Sequence, residues 1–111
     1  MSSGFELYLT PRQKNGGSVT GFDLEKHLQR SMRFDRCFSL DDEVVKGWLA
    51  NPATYPEEFK KRMVFLWKSK WTSGDITDVA YLYWDDGRVI VRWRWLEYGW
   101  GGRSPVLLAS S

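Results

Sequence analysis

All but one of the seven tryptophans of this chain fall between Trp67 and Trp100, on stretches that read as β-strand and are interleaved with Arg and Lys. An indole ring is driven out of water while its N–H wants an acceptor. Aromatic density of this kind therefore forces either a tightly packed aromatic core or a sheet face built to touch something else. A chain of 111 residues, 42% of them hydrophobic, can bury one core, so a single domain over 1–111 is expected. Apolar content at this level excludes disorder.

The period of the apolar residues assigns most elements. Val79 to Trp84 and Arg88 to Leu96 flank Asp85-Asp86-Gly87, a strong hairpin signal. With a two-residue turn at Asp86-Gly87, Asp85 pairs with Arg88. Ala80, Leu82 and Trp84 then share one face with Val89, Val91, Trp93 and Trp95, which is the expected core face. The opposite face sets Tyr83 against Ile90, Tyr81 against Arg92 and Val79 against Arg94. A three-residue loop would instead join Tyr81 and Tyr83 to the Trp pair; the two-residue turn is the preferred reading.

Met63 to Trp67 is apolar at every position, as in a strand covered on both sides, and is predicted to be central. Phe5 to Thr10 alternates and stops at Pro11, giving an N-terminal strand, and Arg12 to Ser18 reads as a loop. A helix is predicted from Thr20-Gly21-Phe22-Asp23 with Leu24, Leu28 and Met32 inward. A second, from Ser39-Leu40-Asp41-Asp42, buries Leu40, Val44, Val45, Trp48 and Leu49 and ends at Asn51-Pro52. A third, short one is predicted between Thr54 and Lys61. Thr72 to Asp75 is a turn, Gly99 to Ser104 a glycine-rich corner, and Val106 to Ala109 a short last strand at a sheet edge, where Pro105 is tolerated. The expected class is α+β: an N-terminal strand, two to three short helices within about 20–61, then an antiparallel meander of three to four strands over about 62–109 packed on the helices.

A formal net charge of +2 selects no partner, but its distribution is uneven. Between Phe59 and Gly74 every charged residue is basic (Lys60, Lys61, Arg62, Lys68, Lys70), and Arg88, Arg92 and Arg94 add a second basic set. Cys37 is the sole cysteine, which excludes an intrachain disulfide and fits a reducing, cytoplasmic setting; it reads as a buried hydrophobe beside Phe34 and Phe38. The Met-Ser-Ser-Gly start lacks a leader pattern and no stretch reaches membrane-spanning length, so no membrane partner is expected.

Tyr55-Pro56-Glu57-Glu58-Phe59-Lys60, Val64 to Trp67, Leu82 to Val89, Trp93, Trp95-Leu96, Trp100 and Pro105 to Ala109 together resemble a group of short uncharacterised bacterial proteins. These share a tryptophan-rich C-terminal β-meander. The resemblance covers roughly the second half of the chain and implies no activity.

Catalysis is the class the residues support least, and neither a catalytic set nor a cofactor or metal site is expected. His27 lies one turn after Asp23 and reads as an exposed helical pair, with no nucleophile in a recognisable motif. One His and one Cys are too few for zinc, and Asp75, Asp78, Asp85 and Asp86 are turn residues before they are magnesium ligands. Gly99 to Ser104 matches no phosphate-loop fingerprint. Three binding readings remain. The first is an interaction module, a homodimer formed through the aromatic sheet or the C-terminal strand, because short helices are expected to cover only one side of the central strand. The second is single-stranded nucleic-acid binding on a face of Tyr81, Tyr83, Arg92 and Arg94 flanked by Lys70 and Arg88. The third is a glycan or small-ligand pocket built from Trp95, Glu97, Tyr98 and Trp100.

Overall fold

The computed structural model of the protein describes residues 4–110; the Met1–Ser3 start lies outside the described residues. The class is α+β. Strands β1 (Phe5–Tyr8), β3 (Val64–Ser73), β4 (Ile76–Asp85), β5 (Arg88–Trp95) and β7 (Val106–Ala109) form one sheet in the order β1-β7-β3-β4-β5. A second, two-stranded ribbon pairs β2 (Val19–Thr20) with β6 (Gly99–Trp100). The helices are α1 (Pro11–Lys14), α2 (Gly21–Arg30) and α3 (Glu43–Ala50).

The meander β3-β4-β5 is antiparallel throughout, but β7 lies parallel to β3 at Phe65↔Val106 and antiparallel to β1. This corrects the expectation for the last strand: β7 is interior, and the sheet edges are β1 and β5. Pro105 is accommodated because its carbonyl accepts from the Phe65 N–H (3.0 Å) while its missing N–H lies just before the strand begins.

The unbroken apolar run of β3 reflects cover on both sides. Phe65 and Trp67 enter one cluster with Leu24 and Leu28 of α2, Trp100 and Val106; Val64 and Leu66 enter another with Val45 and Trp48 of α3, Tyr55, Phe59 and Leu82. Helices thus pack on both faces, not one, and the central strand does not need a second copy of the chain to cover it.

Local departures have local causes. The stretch after Thr10 contains a helical turn: the Gln13 N–H donates to Thr10 Oγ1 (3.2 Å) and the Thr10 N–H to Gln13 Oε1 (2.9 Å), with Pro11 in the first position. Met32 is not on the inner face of α2. That helix ends at Arg30, and Met32 follows in the left-handed region (φ 60°), 79% exposed. The third helix is replaced by two 3-10 turns, Pro52–Thr54 and Glu57–Phe59, because Pro56 between them cannot donate an N–H and holds the residue before it extended. Strand β3 continues past Trp67 through an irregularity between Leu66 and Lys70, where the Lys68 N–H turns away from β4 to the Phe38 carbonyl (3.1 Å).

Candidate functional site: a basic and aromatic cleft at the end of β4

The β4-β5 hairpin has the two-residue register, from Asp85↔Arg88 through Tyr83↔Ile90 and Tyr81↔Arg92 to Val79↔Arg94. Asp86 (φ 49°) and Gly87 (φ 76°) carry the two positive φ angles that a type I′ turn requires. Strand β4 outruns β3, whose pairing with it starts at Val64↔Leu82, so Tyr83, Trp84 and Asp85 have a strand on the β5 side alone. Asp85↔Arg88 closes the hairpin, and hydrogen-bonded pairs alternate from there. The register therefore turns the N–H and C=O of Trp84 toward the side that β3 no longer occupies.

Into that gap come the residues joining the second 3-10 turn to β3, and the corner before β7, held by the Met63 N–H donating to the Arg103 carbonyl (2.9 Å). The result is a cleft of about 550 Å³ lined by Lys60, Lys61, Arg62, Tyr83, Trp84 and Arg103, with Met63. Trp84 is held in place by Tyr55, whose ring stacks on it at 5.8 Å and 4°, and by Lys60, whose Nζ lies 4.2 Å from the indole centroid. Lys60 also meets Glu57 Oε1 at 3.0 Å. Among the described residues, Lys61, Arg62 and Arg103 form no ion pair. Their charge is not neutralised within the fold and is available to an anion. Glu58, Asp85 and Asp86 are exposed, and Glu58 lines a neighbouring surface depression with Lys61 and Arg62.

The predicted Tyr/Arg face joins this cleft through one residue. Tyr83 is 37% exposed and carries the Arg92 guanidinium 5.4 Å from its ring centroid. Arg94 follows on the same face, 5.1 Å from the ring of Tyr98, and donates to the Gly99 carbonyl (2.6 Å). Three of the predicted residues are placed elsewhere. Tyr81 is half-buried against Phe65 (4.7 Å) and belongs to the floor beneath α2, not to an open platform. Lys70 pairs with Glu25 of α2 and lies 5.1 Å from the Phe34 ring, where burial holds its ammonium below the ordinary range. Arg88 is exposed at the hairpin mouth opposite Asp85.

The proposed Trp95, Glu97, Tyr98 and Trp100 pocket is not assembled. Trp100 is fully buried against Phe65 (4.1 Å) and Trp67 (5.1 Å), Glu97 is exposed to water, and Tyr98 meets Trp95 edge-on at 5.5 Å. His27 does not pair with Asp23; its Nε2 lies 2.6 Å from the Tyr8 hydroxyl. Among the described residues no group of three or more His, Cys, Asp or Glu is placed to hold a metal, and no helix is long and apolar enough to cross a membrane.

The expected core face of the hairpin is covered only in part. α3 and the 3-10 turns cover Leu82 and Val89, but at the far end Trp93 is 39% exposed, and Trp71 and Ile76 on the same side are 62% and 45% exposed. Trp71 and Trp93 meet edge-on at 6.3 Å.

Comparison with known proteins finds no matching family model, curated protein or solved structure. Sequence reasoning had the run Lys60, Lys61, Arg62 in view as charges at a helix end. It had no signal that Arg103, distant in the chain, and the rings of Tyr83 and Trp84 would close around them.

Proposed function

We propose that the protein binds single-stranded nucleic acid, with the cleft at the end of β4 as its anchoring site. The observation that carries this reading is the convergence of four cations, three of them without ion pairs, on two aromatic rings around one cleft. Cations track phosphates without regard to sequence, while an exposed ring offers a base a stacking surface that is out of reach in a duplex. Tyr83 supplies the ring, and the Trp84 N–H and C=O supply a donor and an acceptor for a base edge. A neutral ligand would leave Lys61, Arg62 and Arg103 unmatched.

The test is fluorescence anisotropy with a labelled single-stranded oligonucleotide at low salt. Binding is expected, weakening steeply as salt rises. No change in anisotropy at the lowest salt overturns the reading.

A second reading, self-association through the aromatic sheet, is favoured by a separate observation: Trp71, Ile76 and Trp93 are exposed on the side of the ribbon opposite Arg92 and Arg94. Exposed large apolar side chains gathered on one surface are typical of association sites. A buried β7 closes the C-terminal strand as a route. Sedimentation equilibrium over a range of concentrations tests it, and a monomer mass at every concentration rules it out.

A further inference from the structure

We infer, resting on the nucleic-acid reading, that the ligand is engaged as an extended strand leaving the cleft along β5, with Tyr98 as a second stacking station beyond Tyr83. Both rings are exposed, at 37% and 51%, and each has a guanidinium close by, Arg92 at 5.4 Å from Tyr83 and Arg94 at 5.1 Å from Tyr98. The two arginines stand two residues apart on one face of β5, the sheet edge, so no further strand obstructs the path. Ile90, level with Tyr83, and Arg94, beside Tyr98, are four residues apart, a span of about 13 Å along the strand. Bases stacked in a duplex strand rise about 3.4 Å each, so the two stations cannot serve one nucleotide and imply several.

Charge complementarity selects the occupant. Arg92 forms no ion pair among the described residues, and Arg94 is tied to the neutral Gly99 carbonyl, so the path is cationic and lacks an internal carboxylate partner. A polyanion with planar, stackable groups matches this; a mononucleotide would use the cleft and leave the path empty.

The experiment is a length series of unstructured oligothymidylates, from thymidine monophosphate to about eight nucleotides, titrated at fixed low salt into the wild type, Tyr83→Ala and Tyr98→Ala. Tyr98 is exposed, and a thermal melt confirms that its variant folds. Affinity is expected to climb with length in the wild type. Tyr98→Ala should lose about tenfold for the longer oligomers and nothing for the mononucleotide, while Tyr83→Ala should weaken every length. Affinity that is flat from the mononucleotide upward, or a length dependence untouched by Tyr98→Ala, overturns the path along β5 and leaves the cleft reading standing. Failure of every oligomer and of the mononucleotide to bind overturns both.

Discussion

The amide nitrogen of Gly21 lies 2.6 Å from the carbonyl oxygen of Leu96, and a β-carbon built on Gly21 would stand 2.7 Å from the Leu96 Cα. The N-terminus of α2 therefore crosses the end of β5 at backbone contact, and this crossing, together with the Thr20 cap, locks α2 over the sheet. The obstacle is main chain, which cannot rotate aside. Gly21→Ala is expected to destabilise the fold by about 3 kcal/mol or more, a larger loss than an exposed helix position would show, measured by urea unfolding.

Tyr55 gives a prediction of opposite sign. Its hydroxyl is buried without a hydrogen-bond partner, while its ring stacks on Trp84 and meets Trp48 and Phe59 edge-on. Phenylalanine keeps the rings and removes the unpaired group. Tyr55→Phe should leave stability unchanged or raise it by about 1 kcal/mol, visible as an unchanged or higher melting temperature.

Cys37 should make stability fall at alkaline pH. Burial pushes its thiol up from 9.0 to about 12, against the smaller opposing pull of Lys68 and Arg36. The unfolded thiol ionises near pH 9 and the folded one does not, so its contribution is constant below pH 9. It should then be lost at about 1.4 kcal/mol per pH unit as pH rises toward 12. Cys37→Ala should flatten that part of the stability curve relative to wild type, whatever its effect at neutral pH. For the same reason, thiol reagents should label native Cys37 slowly and the urea-unfolded chain at once.

Charge in the cleft should be readable from salt dependence. Arg62→Ala and Arg103→Ala should each weaken oligonucleotide binding and reduce the slope of log affinity against log salt by about 1, whereas Tyr83→Ala should weaken binding with little change in slope. Equal slopes for all three variants would separate the cleft from phosphate contact.

The elements that were legible in the sequence are those whose cause is local. Asp86-Gly87 sets its own turn, and the hairpin register follows from it, so the partners of Tyr81, Tyr83 and Trp84 were readable in advance. Thr20 capping α2 is local in the same way, and so is the Thr10/Gln13 capping box, in a stretch whose glycines and polar residues read as a loop. What misled was any inference about cover. Trp100, set among glycines at a corner, is fully buried under α2, while Trp93, on the side of the hairpin that periodicity assigns to the core, is 39% exposed, because α3 reaches only part of its face. Tyr81 and Tyr83 alternate to the same side of β4, but α2 covers one and stops short of the other.

Periodicity and turn chemistry, both interactions between near neighbours, determined the α+β class, the antiparallel ribbon and the two distinct sides of the β4-β5 hairpin. Tertiary structure alone decided that β7 would enter the sheet beside β3, that helices would pack on both faces, and that Lys60, Lys61, Arg62 and Arg103 would gather around Tyr83 and Trp84. Those outcomes depend on where chain segments far apart in sequence meet, and on where one strand ends before its neighbour does.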